Sequence, residues 1–329
     1  MGIDTTSARF LMLCAHSGVD FSRTLMLGRQ EIHSNPQRLS LAAAECGFPL
    51  GDQTVIDMMR ERPAYAEPLF HALGAVTVDS MDAADYEDAT ILHDLNDPIG
   101  DELKGRFTAV FDGGTLEHVF QFPTALKNAM EMLEVGGTLM TITTANNLLG
   151  HGFYQFSPEL FFRAFSAENG FVTEGCYLYE NSGLGDLNGE VRSVKDPLEM
   201  KRRVTLRNSD ETLIVVRALK VAERLVFART PQQSDYEAAW QTPSQGSAPR
   251  KLKISANKAL RLRLREVAWP LKQWVRSVQY GVRNDRYDPQ AYRKVRFAAG
   301  LLPEMKQAHE AASTRLSPNQ ALVQTPIWE

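Results

Sequence analysis

Residues 107–147 constrain the fold of this chain more than any other stretch. Residues 107–111 (FTAVF) form a short apolar run suited to a buried strand. Asp112-Gly113-Gly114 follows, where the chain must turn sharply. From Pro123 onward, Leu126, Ala129, Met130 and Leu133 recur at helical spacing, and Gly136-Gly137 is predicted to cap that helix. Residues 138–144 alternate β-branched and apolar side chains and read as the next strand. Strand, helix and strand in so short a span make a βαβ unit, which requires a parallel sheet with a right-handed crossover. Ligands of open parallel sheets bind beyond the carboxyl ends of the strands. The loops at 112–118 and 145–155 are therefore the places to look for chemistry.

The rest of the chain extends the same alternation. Residues 23–27 (RTLML) read as a first core strand stopped by Gly28, and residues 10–14 as a short helix or strand on the sheet edge. Short helices are predicted near 39–46, 52–60 and 66–73. Residues 75–78 (AVTV) form a strand that closes on Asp79, and residues 90–93 (TILH) one that leads into Asp94. Ser157-Pro158-Glu159 is a helix-start signal, and strands follow at 171–179 and 211–219 with a polar insertion between them. The pattern predicts an α/β, three-layer domain with a mostly parallel sheet over residues 23–229, after a leading segment 1–22. Residues 230–250, rich in Gln, Ser and Pro, read as a linker. Residues 251–329 read as a basic helical C-terminal extension.

Charge divides the chain in the same way. Residues 250–329 hold 16 of the 36 Lys and Arg but only 6 of the 40 Asp and Glu, which makes this end basic and the remainder acidic. In residues 254–283, apolar side chains recur every three or four positions among arginines and lysines, as in a basic amphipathic helix kinked at Pro270. Packing on the main domain, packing in an oligomer and contact with an anionic membrane surface are all open for it. Nucleic-acid binding is not expected, because no binding module is recognisable. Cys14, Cys46 and Cys176 are isolated and form no CxxC pair, so a reducing, cytoplasmic setting is expected, peripheral to the inner membrane face if the basic helix docks there.

Several of these features together resemble the class I S-adenosylmethionine-dependent methyltransferases. The resemblance rests on Asp79 and on the segments HDLND (93–97), FTAVFDGGTLEHVF (107–120), LEVGGTLMTI (133–142) and SPELFFRAFSAENGF (157–171). It implies a Rossmann-like fold with S-adenosylmethionine as cofactor. By position, Asp79 would hold the ribose hydroxyls, Asp94 would lie by the adenine, and Asp112 and Glu117 would border the methionine end. The chain departs from the family at its first loop. Where several glycines are usual, it has Gly28 followed by Arg29 and Gln30, so those two side chains would supply cofactor contacts instead. The rival reading is a methyltransferase-like domain without catalysis, serving in binding or assembly.

A sulfonium methyl group is already activated, so positioning dominates and a base helps only where the acceptor is a hydroxyl. His118 and His151 are the candidates for that base, since each lies in one of the two exit loops. Asn146, Asn147, Tyr154 and Gln155 suit a hydroxylated small-molecule or glycan-type acceptor. No metal is expected: His93, His118 and His151 lack the spacing of a zinc site.

Overall fold

Apolar side chains leave the central sheet on both faces, which is why its inner strands read as unbroken apolar runs. The computed structural model describes residues 2–181, 190–200, 206–236 and 286–316. Nine strands enter one sheet: β1 (Arg23–Leu27), β2 (Thr77–Asp82), β3 (Ile91–Leu92), β4 (Phe107–Asp112), β5 (Leu133–Asn146), β6 (Phe171–Asn181), β7 (Glu190–Val194), β8 (Glu211–Lys220) and β9 (Tyr292–Arg296). Their order across the sheet is β9-β7-β6-β8-β5-β4-β1-β2-β3. Strands β1 to β5 are mutually parallel. The remaining pairings are antiparallel, so all strands but β7 and β8 point the same way. The chain first crosses from β1 outward to β2 and β3, then returns to β4 and β5 on the other side. That reversal puts a switch point between β1 and β4, where a doubly wound sheet binds its ligand.

Helices cover both faces. On one side lie α1 (Thr5–His16), α2 (Pro36–Cys46), α3 (Asp52–Met58) and α4 (Glu67–Ala72), packed on Met26, Ala109 and Phe111. On the other lie α5 (Phe122–Glu131) and α6 (Pro158–Ala164), packed on Leu25, Leu27 and Val110. A short α7 (Pro197–Met200) follows β7, and α8 (Leu302–Ser313) ends the described chain. This is the three-layer, mostly parallel α/β sandwich that the periodicity predicts.

Four expectations change in detail. The leading segment is not peripheral: α1 carries Phe10, Leu11, Met12 and Leu13 fully buried. Gly136-Gly137 does not cap a helix; α5 ends at Glu131 and both glycines lie inside β5, where the register against β4 shifts. A Cβ on Gly137 would sit 3.1 Å from the Phe107 carbonyl, so glycine lets the bulged strand press on its neighbour. The polar insertion between the last predicted strands contains β7.

The basic C-terminal region is no mere helical appendage either. Its described part, residues 286–316, adds β9 to the sheet edge and lays α8 against the core. A buried ionic network fixes α8. Glu174 of β6 is fully buried and lies 2.9 Å from the Arg217 Nε of β8. Arg217 also donates to Ser17 Oγ after α1 and, at 2.8 Å, to the Met305 carbonyl of α8, while Glu174 meets His309 Nδ1 of α8 at 2.8 Å. The amphipathic stretch 254–283 lies outside the described residues. Among those described, no helix is long and apolar enough to cross a membrane.

Candidate active site

Three loops meet at the switch point. Gly28, at the end of β1, has φ +68° and donates its N–H to the Met81 carbonyl at 2.7 Å. A Cβ there would lie 2.9 Å from Thr115 Oγ1, so the β1 and β4 loops touch because residue 28 has no side chain. Thr115 Oγ1 closes the contact by donating to the Leu27 carbonyl at 2.6 Å. Gln30 folds beneath this junction, 3% exposed, and its Nε2 donates to the Leu27 carbonyl at 2.7 Å. Leu27 O can only accept, so the amide orientation is settled and Oε1 is left pointing at Gly113. That oxygen is buried and has no hydrogen-bond partner among the described residues.

Arg29, expected to contact the cofactor, is turned away. Its Nε is paired with Glu67 at 2.7 Å, its Nη1 donates to the Glu87 carbonyl at 2.9 Å, and the guanidinium lies 3.8 Å over the Tyr65 ring. Two of its N–H groups are bonded within the chain and the Tyr65 ring covers one face of the guanidinium, which holds the side chain against its own fold.

Asp79 does not end its strand. β2 continues to Asp82 because Met81 is fully buried and pairs with both Leu27 and Ile91. Asp79 sits level with Leu25 in mid-strand, where Arg106 reaches it at 3.2 Å and Thr90 Oγ1 donates at 3.0 Å. The acid at the carboxyl end of β2 is Asp82, which sequence reading missed. Asp94 does follow β3, but its carboxylate closes its own turn on the Asn96 N–H and side-chain amide, which hold its pKa below the usual value. Asp112 is fully buried and serves the loop: it accepts from Thr141 Oγ1, from Thr115 N at 2.8 Å and from Leu116 N at 3.2 Å. Burial pushes its pKa up. All three of these bonds go to the chain itself, so Asp112, expected to border the methionine end, shapes the loop there.

Glu117, His118 and His151 do come together. Glu117 and His118 lie on the single 3-10 turn Leu116–His118 after β4. The loop after β5 is stapled to that turn, since Phe153 N donates to the Glu117 carbonyl at 2.8 Å. Gly152 (φ +73°) permits the approach, because a Cβ there would lie 2.8 Å from the same carbonyl. As a result His151 Nε2 stands 3.9 Å from Glu117 Oε1, and the two imidazole rings lie 5.0 Å apart. Glu117 is fully buried. Its Oε2 accepts from Thr143 Oγ1 at 2.7 Å, whereas Oε1 has no hydrogen-bond partner among the described residues. Burial, then the nearby Asp112, pushes its pKa up to about 8. Burial, then His151, lowers that of His118. His93, by contrast, bonds the Asp97 carbonyl at 3.0 Å and stands apart.

The raised Glu117 pKa has a consequence for stability. Folded Glu117 keeps its proton up to about 8, while the unfolded chain loses it near 4.5. The folded state binds more protons in that window, so this group lowers stability as pH rises from about 4.5 to about 8. Melting temperature measured in chelator should fall across that range, and Glu117→Gln should flatten the decline.

The polar residues expected to greet an acceptor mostly build the loop. Asn146 and Asn147 bond Asn208 at 2.7 and 3.2 Å, Gln155 accepts from Leu148 N at 2.9 Å, and Tyr154 OH donates to the Phe120 carbonyl at 2.7 Å. Beside the imidazoles, Phe120 and Phe153 pack edge to face and remain 63% and 66% exposed. Farther along the same sheet edge, a cavity of about 620 Å³ opens between Asn146, Gln155, Glu159 and Tyr292.

No family model and no curated protein matches the chain. Several solved structures are similar to it at low identity. The 1,6-didemethyltoxoflavin-N1-methyltransferase of Burkholderia thailandensis, solved with S-adenosylhomocysteine, is 12% identical over 66% of this chain and 79% of its own, with TM-score 0.32. The N-methyltransferase NodS of Bradyrhizobium japonicum, also with S-adenosylhomocysteine, is 13% identical over 67% and 89%, with TM-score 0.32. A SAM-dependent methyltransferase of Thermotoga maritima is 14% identical over 65% and 91%, with TM-score 0.30. At such TM-scores the likeness decides nothing about the chemistry of this chain, which rests on its own residues.

Proposed function

We propose that the chain is a class I S-adenosylmethionine-dependent methyltransferase acting on a hydroxyl of a small-molecule or glycan-type acceptor. One observation carries the reading: a glycine junction, a strand-end acid and a buried carboxylate–imidazole cluster converge on the carboxyl ends of β1, β2 and β4, at the switch point of the sheet. The residues there fit the cofactor. Gly28 and Gly113 let the β1 and β4 loops close on one another around Gln30, whose orphaned Oε1 is an acceptor suited to an ammonium group. In this reading Asp82, at the carboxyl end of β2, would take the ribose hydroxyls, and Asp94, after β3, would flank the base. When bound, S-adenosylmethionine supplies an electrophilic methyl on a sulfonium.

The chain's own part is to hold the acceptor in line and to manage one proton. Glu117, His118 and His151, grouped at the exits of β4 and β5, would take that proton. A base tuned toward neutral pH matches the task, since proton transfer is most effective when the catalytic pKa lies near the working pH. Phe120 and Phe153 offer an apolar face for the acceptor's ring beside them.

Calorimetric titration with S-adenosylhomocysteine tests the reading. Micromolar binding is expected, and folded protein that binds none at about 1 mM would sink it. Asp82→Ala should weaken binding by about 10–100-fold, the worth of a hydrogen bond to a charged group. Asp79→Ala should leave affinity within about threefold, because Arg106 and Thr90 already hold that carboxylate. The reverse ranking would return the ribose contact to Asp79.

A further inference from the structure

We infer that Glu117, His118 and His151 form a binding site for one divalent first-row cation, of the zinc, cobalt or manganese kind. One ligating atom from each of the three lies within 4.8 Å of the others. Two imidazole nitrogens and a carboxylate oxygen are the donors such ions prefer, and three protein ligands leave a coordination position open. Tetrahedral coordination at about 2.1 Å needs donors about 3.4 Å apart, so the set must close by up to about 1.4 Å from its 4.8 Å spread. The half-exposed imidazole of His151, on a loop between two glycines, can make that movement.

A second observation points to a ligand independently of the grouping. Glu117 is completely buried, yet its Oε1 has no hydrogen-bond partner among the described residues and faces His151. A buried carboxylate oxygen left so is costly unless something binds it. Its other oxygen is oriented by Thr143 Oγ1, in the manner of the outer hydrogen bonds that aim metal-ligating carboxylates. Gly152 completes the device by admitting the His151 loop against the Glu117 backbone.

The inference deepens the methyltransferase reading and, for its consequence only, rests on it. An acceptor oxygen drawn to the open position would have its pKa lowered. With the cation bound the three side chains serve as its ligands in place of a base, so the acceptor's proton would leave to solvent; the oxygen would bond to the methyl carbon as the carbon–sulfur bond breaks, its electron pair returning to sulfur. No oxidant or reductant is needed.

The test needs neither acceptor nor cofactor. Full-length protein is stripped with EDTA, desalted and titrated with zinc chloride by calorimetry, and with cobalt chloride by visible absorption. One equivalent per chain should bind more tightly than about 10 µM, with ligand-field bands for cobalt. Glu117→Gln and His151→Ala should each weaken zinc at least about tenfold, and His93→Ala should bind as the parent does. His151→Ala alters a surface loop, and a cooperative melting transition in each variant shows that it is folded. Stoichiometry well below one, or equal zinc affinity in parent, Glu117→Gln and His151→Ala, would overturn the site as adventitious binding only. S-adenosylhomocysteine titration of the same samples is read separately, so a failed metal site and a failed cofactor reading remain distinguishable.

Discussion

Glu117→Gln is expected to reduce methyl transfer by about 10²–10⁴-fold, the usual worth of a positioned proton-transfer group. Affinity for S-adenosylhomocysteine should stay within about threefold, since the cofactor contacts assigned to Gly28, Gln30 and Asp82 are intact. The variant should also be no less stable than the parent at pH 8. Glutamine keeps an acceptor for Thr143 and removes the buried charge that the parent must carry there. Lost turnover with retained fold and retained cofactor binding is what separates a residue of the chemistry from one of the scaffold. An unfolded Glu117→Gln would mean that the carboxyl group is structural, and unchanged turnover would remove Glu117 from the reaction. The pH–rate profile of the parent supplies the companion measurement. A rising limb near the raised Glu117 pKa, absent from the variant, ties that limb to this group.

The largest effect on stability is expected from Glu174→Ala. Glu174 is fully buried and neutralises the guanidinium of Arg217, which is 1% exposed. Breaking a buried pair by removing one member strands the other charge, at a cost of about 3–5 kcal/mol. The same carboxylate holds His309, so α8 loses two anchors at once. Chemical denaturation should show the loss in full. Replacing Glu174 and Arg217 together by apolar residues of similar volume should recover much of it, because neither charge is then left unpaired. A loss under about 1 kcal/mol for the single variant would mean that water reaches the pair and screens it. These groups are separate from the switch point between β1 and β4, because Glu174 and Arg217 belong to strands β6 and β8, beyond β5.

Much of the layout was legible in the chain itself. Hydrophobic periodicity depends on neighbouring residues, and so the parallel β1–β5 core, the α5 crossover and the two exit loops follow from residues 23–27, 75–78 and 107–147 read locally. The glycines at 28 and 113 and the acid–imidazole stretch 117–118 stand at those exits for the same reason. What local pattern could not reveal was where strands stop. Nothing in Asp79-Ser80-Met81-Asp82 breaks a strand; only pairing with Leu27 on one side and Ile91 on the other carries β2 through to Asp82. The acid at the end of the strand is therefore Asp82, three residues beyond the Asp79 to which the resemblance pointed. Likewise, Arg29 and Asp112 look available in sequence because their partners, Glu67 and Thr141, lie 38 and 29 residues away.

For this protein, then, the sequence by itself determined the α/β class, the parallel core and the two loops where chemistry would be sought. Short-range periodicity and turn residues act before any distant contact forms, and they suffice for that much. The tertiary structure decided which acids are free to meet a ligand, that residues 292–296 of the C-terminal region join the same sheet, and that His151 stands opposite Glu117. Each of these depends on a hydrogen bond or ion pair between residues far apart in the chain. The clearest is the Phe153 N–H on the Glu117 carbonyl, which Gly152 permits and which no local pattern encodes.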